Sequence, residues 1–301
     1  MTHAIQGVHC AAATPVTTDG APNLTLFAAH CRALLDEGCH GIAILGTTGE
    51  ANSFGIRDRM ALVEAAVDHG TPADALLPGT STPAISDTVE LTRHAVQAGA
   101  KGVVLLPPYY YKGVSDEGLF RFYARVIEGV GDDRLKVVLY HIPQVTQIPI
   151  SHGLIDRLMS AFPAIVCAIK DSAGDIDNMK TLCARFPDLA VLAGADPLML
   201  PLLQAGGAGC ITATSNLRAD ALRVIWEGWN DPARTEQIEA AQARIDDWRG
   251  LTNAYVQLPT VKTMLARSRN DLGWLNMMPP LVDLTEAEQQ SVWAQMARLG
   301  A

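Results

Sequence analysis

Short apolar runs alternate with amphipathic stretches along most of this chain. The runs are VHCAAATP from Val8, GIAILGTT from Gly41, ALLPGTS from Ala75, GVVLLPP from Gly102, KVVLYHIP from Lys136, AIVCAIKD from Ala164, AVLAGAD from Ala190 and GCITATS from Gly209. Each is apolar nearly throughout, which fits strands buried on both faces, as in a parallel sheet. Between the runs, apolar residues recur every three to four positions. LTLFAAHCRALLDEG (24–38) predicts a helix that stops at Gly38, and DRMALVEAAVDHG (58–70) behaves alike. SDTVELTRHAVQAGA (86–100) opens on a Ser or Asp cap and stops at Gly99. Residues 152–162 and 175–186 continue the series.

Eight strands, each followed by a helix, predict a (β/α)8 TIM barrel. A doubly wound sheet would use fewer strands and place a glycine-rich turn after the first one. Here the first run leads into TPVTTDGAP, without GxGxxG. Past about residue 225 the strand pattern stops. TEQIEAAQARIDDWRG (235–250), PTVKTMLARSR (259–269) and TEAEQQSVWAQMARLG (285–300) predict appended helices. The expected organisation is a barrel over 1–224 and a C-terminal helical extension over 225–301.

Composition narrows the function classes. The chain has 301 residues, 49% of them hydrophobic, enough for a large single core or two modest ones. The net charge is -9 and Lys and Arg are scattered, which argues against a nucleic-acid surface. The start, MTHAIQG, lacks the charged and apolar regions of a signal peptide. No apolar run approaches the roughly 20 residues that span a bilayer, so no membrane role is expected. Cys10, Cys31, Cys39, Cys167, Cys183 and Cys210 form no CxxC pair. They read as small core residues in a reducing cytoplasm.

In a barrel the active site lies at the C-terminal ends of the strands. Those ends supply Thr14, the GTTGE turn from Gly46 to Glu50, Thr80, Pro107 to Tyr111, Tyr140, Lys170 with Asp171, Asp196, and Thr212 to Asn216. The set holds one lysine and several hydroxyls. The histidines are spread without HxxH or HxxxH spacing, so no zinc or iron site is expected. A lysine among hydroxyls suits Schiff-base chemistry. Its amine condenses with a 2-oxo acid, and the iminium accepts electrons when a C–C bond breaks or forms. The amine must be neutral to attack, and apolar surroundings favour the neutral form. The other reading of Lys170 is a structural ion pair with Asp171 or Asp196. GTTGE is either a carboxylate-holding turn or an ordinary strand-to-helix turn with a threonine cap. Tyr140 is either a proton shuttle or a packed strand-end residue. Tyr109, Tyr110 and Tyr111 suit an interface patch. Lys262, in LPTVKTML, reads as a surface lysine on a helix.

GTTGE, PPYYY, YHIP, AIKD and GCITATSN, in that order, resemble the dihydrodipicolinate synthase and N-acetylneuraminate lyase family of class I, pyruvate-type aldolases. The likeness runs from about Gly7 to Lys262. It implies that Lys170 is the Schiff-base lysine and Tyr140 the proton shuttle. It implies that Thr47 and Thr48 hold the substrate carboxylate, with Thr47 also in the proton relay. Tyr110 matches the tyrosine lent to a neighbouring subunit's relay, and Ile211 the residue whose carbonyl faces the site. No metal or organic cofactor is implied, and a homotetramer built as a dimer of dimers is.

The chain also departs from the synthases. They carry an aldehyde-binding arginine five residues beyond the tyrosine. Here the segment is YHIPQVTQIPI, with Val145 at that place, His141 where asparagine is usual and Gln147 where glycine is usual. The resemblance therefore implies a class I lyase acting on pyruvate and an aldehyde, or on 2-oxo-3-deoxy sugar acids. A dihydrodipicolinate synthase and a dehydratase of such a sugar acid are the alternatives within the family. Two further readings come from other classes. One is phosphate binding by Gly206, Gly207 and Gly209, which precede their strand and so lie at its wrong end. The other is a silent 2-oxo-acid sensor, which would not need the lysine and tyrosine.

Overall fold

The computed structural model describes residues 3–300. Among them are strands β1 (Gly7–Ala11), β2 (Gly41–Ala43), β3 (Val103–Leu105), β4 (Val137–His141), β5 (Val166–Asp171), β6 (Ala190–Ala193) and β7 (Gly209–Thr212). The helices that follow β1 and β2 are α1 (Leu24–Asp36) and α2 (Ile56–Asp68), and α3 (Ile85–Gln97) precedes β3. Next come α4 (Asp116–Val130), α5 (Pro143–Thr146), α6 (His152–Ala161), α7 (Ile176–Arg185) and α8 (Met199–Gln204). The chain closes with α9 (Ser215–Gly228), α10 (Thr235–Thr252), α11 (Gln257–Ser268) and α12 (Glu286–Arg298). β1 pairs with β2, and β3, β4, β5, β6 and β7 pair successively, all in parallel. Parallel strands leading into helices give the TIM-barrel class expected from sequence, with appended C-terminal helices. No helix among the described residues is long and apolar enough to cross a membrane.

Seven of the eight apolar runs form regular strands. The exception, ALLPGTS, is extended beside β3 but pairs with it sparsely. Leu76 O accepts the Lys101 N–H at 3.1 Å, Pro78 O accepts the Val104 N–H at 2.9 Å, and the Thr80 N–H donates to Val104 O at 3.3 Å. Pro78 has no N–H to extend that ladder, and the run registers as one bridge, Gly79 to Val104. Helix α4 lies where the apolar spacing alone predicts no helix, and local cap signals define it. Ser115 accepts the Gly118 N–H at 3.2 Å, Asp116 and Glu117 fill the first turn, and Gly131 closes the helix in the left-handed region.

The chain forms two compact, discontinuous units. One comprises the residues up to Gly7 and Pro72–Ile211, the other Val8–Thr71 and everything from Thr212 onward. In the first unit β3 to β7 lie in register, with β4 and β5 contributing fully buried Val138, Leu139 and Ala168. In the second unit the C-terminal helices build a core around Trp248, Leu251, Met264 and Val292. A second cluster joins Ala13, just after β1, to Val261, Leu265 and Trp274. Asn216 locks this unit's interior. Its Oδ1 accepts from the Ala13 N–H and faces His30 Nε2, each at 3.0 Å, and its Nδ2 donates to Ala11 O and Ala213 O at 2.8 Å. Burial lowers the His30 pKa to about 3, so the ring stays neutral inside the core.

Candidate active site

In the first unit, Lys170 and Tyr140 are register partners on adjacent strands β5 and β4. Residues paired this way point to the same face of a sheet. Their side chains accordingly meet, with Lys170 Nζ lying 4.3 Å from the centroid of the Tyr140 ring. Lys170 is 6% exposed and Tyr140 4%. An ammonium over a tyrosine face is a favourable contact, and exclusion of water strengthens it. Leu192 is the partner of Lys170 on the other side, in β6.

Alternation sends the next residues, His141 and Asp171, to the opposite face. The Asp171 carboxylate is occupied there by the Ala173 N–H at 2.8 Å and Asn178 Nδ2 at 2.7 Å. The ion pair between neighbours Lys170 and Asp171 is therefore ruled out by strand geometry. His141 Nδ1 accepts the Ile150 N–H at 3.1 Å, and burial lowers its pKa.

Ile211 lies in β7 and is fully buried. Gly206 and Gly207 sit in the turn before β7, as the sequence indicated. The aromatic run behaves differently. Tyr110 is 71% and Tyr111 73% exposed, and their rings meet edge to face at 5.3 Å. Lys112 Nζ fastens this loop by donating to Thr146 O at 2.8 Å and to Tyr109 O. Val114 and Val145 are exposed as well.

In the second unit, the GTTGE turn is a constrained corner. Leu45, just before it, and Glu50, its last residue, both have left-handed backbone, at φ 58° and 55°. Gly49 O accepts the buried Thr14 hydroxyl at 2.9 Å. A Cβ at Gly49 would sit 2.9 Å from Ala12 O, so glycine is required there. Thr48 is buried and Thr47 half-buried.

The expectation for Lys262 is overturned. It is 1% exposed and forms an ion pair with Glu50, while its Nζ also donates to Asn276 O at 2.9 Å. Glu50 Oε2 accepts the Met278 N–H at 2.9 Å. Desolvation lowers the Lys262 pKa, opposed by the Glu50 charge. Helical periodicity could not reveal this, because α11 is buried on most of its circumference from Pro259 to Ala266. The role is structural: a buried pair satisfied on both sides ties the corner at Glu50 to α11.

A sequence profile of the dihydrodipicolinate synthetase family matches residues 4–299. Among curated proteins, the chain is similar to an uncharacterized DapA-like lyase of Chloroflexus aurantiacus. The two are 31% identical over 297 residues, covering 98% of this chain and 97% of the relative. It is also 31% identical over 283 residues to the 4-hydroxy-tetrahydrodipicolinate synthase of Corynebacterium urealyticum, covering 93% and 90%. Among solved structures it resembles dihydrodipicolinate synthase from Agrobacterium tumefaciens. The TM-score is 0.89 at 29% identity, over 99% of this chain and 100% of that one. YagE of E. coli K12, solved in complex with pyruvate, is similar at a TM-score of 0.89 and 25% identity, over 98% of both chains.

Proposed function

We propose that this chain, which belongs to the dihydrodipicolinate synthetase family, is a class I lyase that joins pyruvate to an aldehyde, or releases pyruvate from a 2-oxo-3-deoxy sugar acid, through an imine on Lys170. The observation that carries the reading is the buried amine held 4.3 Å from the Tyr140 ring on the neighbouring strand. The similarity to a protein solved with pyruvate supports the choice of 2-oxo acid.

The Lys170 amine attacks the keto carbon, the carbonyl oxygen leaves as water, and an iminium forms. In the cleavage direction, Tyr140 takes the proton of the C4 hydroxyl as its own phenolic proton passes on to Thr47 in the relay. The C3–C4 bond breaks, its electrons pass to the iminium nitrogen, and aldehyde and enamine separate. Protonation of C3 and hydrolysis then release pyruvate and restore Lys170. Thr47 and Thr48 hold the substrate carboxylate and Thr47 shares the proton relay, while Ile211 offers its carbonyl. These roles rest on the resemblance of GTTGE and GCITATSN to the family. The test is reduction with borohydride in the presence of pyruvate. One pyruvate-derived mass should appear on the peptide that contains Lys170, and a label on Lys262 or on no lysine would end the imine reading.

The relatives named as synthases favour a second reading, synthesis of 4-hydroxy-tetrahydrodipicolinate from pyruvate and aspartate semialdehyde. Val145 speaks against it. It is 58% exposed on α5 and offers no cation to the aldehyde's carboxylate. A charge-assisted contact is worth about 1.5–3 kcal/mol, or roughly 10- to 150-fold in kcat/KM. Condensation with aspartate semialdehyde should therefore be slow, and Val145→Arg should raise it. Efficient condensation by the unaltered protein would establish the synthase reading instead.

Assembly belongs to the same reading. The exposed Tyr110 and Tyr111, with Val114 and Val145 also exposed, form a surface that a two-fold contact would cover on both copies. That contact brings the partner subunit's Tyr110 into the proton relay, and two such dimers form the tetramer. Sedimentation should give at least a dimer. Mixed Lys170→Ala and Tyr110→Phe subunits should regain part of the activity that each variant lacks. A fully active monomer would refute shared sites.

A further inference from the structure

The face of β5 opposite Lys170 carries polar machinery that the chemistry above does not use. Asp171 is fully buried, and both its oxygens are engaged, by the Ala173 N–H and by Asn178 Nδ2. Asn178, in the first turn of α7, passes the contact on, with its Oδ1 facing His152 Nε2 of α6 at 3.0 Å. The backbone is clamped at the same point. The Ser172 N–H donates to His141 O at 2.8 Å, and the Gly194 N–H donates to Asp171 O at 2.7 Å. Gly194 comes so close that a Cβ there would overlap Ser172. The strand end one residue beyond Lys170 is thus fixed from three directions, by β4, β6 and α7.

We infer that Asn178 is a positioning residue for Lys170: by holding the Asp171 carboxylate on one face of β5 it sets the angle at which the lysine leaves the other face, and so the distance from the imine nitrogen and C3 to Tyr140. Asp171 and Lys170 share a peptide unit, so release of the carboxylate re-aims the amine. The inference rests on the imine reading. Asn178 touches no reacting atom. Its action lies in proton transfer at C3, which demands closer placement than imine formation by a flexible lysine. A displacement of about 1 Å at reacting atoms can cost about 100-fold.

The experiment compares the parent protein, Asn178→Ala and Asn178→Asp by two measurements that need no aldehyde. One is borohydride trapping with pyruvate. The other is exchange of the pyruvate methyl protons with D2O, followed by NMR, in which the C3 proton leaves as its electron pair moves to the iminium nitrogen. Asn178→Ala should trap like the parent and exchange about 100-fold more slowly at every pH. In Asn178→Asp a second carboxyl meets Asp171 and keeps the contact only when the two share a proton. Its exchange rate relative to the parent should therefore rise as pH falls from about 8 to about 5.5. The other titratable groups around this contact are His141 on β4, His152 on α6 and Asp175, which caps α7.

Exchange in Asn178→Ala within threefold of the parent would overturn the inference. So would a pH-independent ratio for Asn178→Asp, which would reduce the network to support of the fold. Loss of trapping by an Asn178→Ala protein that still melts cooperatively would overturn it too, because the network would then act on imine formation. A parent protein that is not trapped would instead refute the imine reading itself, and this inference with it.

Discussion

Lys170→Ala is expected to abolish both turnover and borohydride labelling, with turnover falling by on the order of 10,000-fold or more, as when a covalent nucleophile is removed. A structural lysine would behave otherwise. Removing one partner of a buried ion pair leaves the other charge uncompensated and lowers stability, while the protein that still folds would keep its activity. Lys170→Arg separates the two. Arginine keeps the positive charge and can still lie over the Tyr140 ring, but its guanidinium does not lose a proton in proteins and forms no imine. The arginine variant should fold, bind pyruvate weakly and remain inactive. Measurable turnover by Lys170→Arg would return Lys170 to a structural role. The geometry on β5 already weakens that role, since Asp171 points away and is held by Ala173 and Asn178.

Tyr140→Phe should slow turnover by roughly 100- to 10,000-fold, the usual worth of positioned acid–base assistance. The substitution is informative because of where Lys170 Nζ sits. It lies over the ring, 4.3 Å from the centroid, and phenylalanine preserves a ring face for that contact. The volume filled in the buried strand also stays nearly the same. Imine trapping should therefore persist while exchange of the pyruvate methyl protons and aldol turnover collapse. If both rates stay near those of the parent protein, Tyr140 serves only to pack and orient the lysine.

The two results together locate the chemistry within one strand pair. Loss of trapping in the first variant and its persistence in the second would assign bond formation to Lys170 and proton transfer to Tyr140. Such a division matches the reading of a class I lyase, whose electron sink comes from the chain itself.

Much of this was determined by the sequence alone. Doubly buried strands must be apolar along their length, so seven runs announced their strands directly, and Lys170 stood out as the charge that ends one of them. Gly38 and Gly99 marked the ends of α1 and α3, where the backbone turns left-handed, but the cap expected at Ser86 or Asp87 is not one: α3 begins at Ile85 with Ala84 before it, so both residues lie in its first turn. Register and long-range contact were decided only by the tertiary structure. Nothing near Lys170 in the chain says that Tyr140 is its partner across β4 and β5, since pairing depends on how whole strands align. Lys262 carries the same lesson. Its helical surroundings suggested a surface position, but its partner Glu50 lies far away in sequence, and only folding brings a carboxylate to the one lysine in α11. Burial of a charge is a property of what surrounds it in space, and local pattern records only the backbone it rides on.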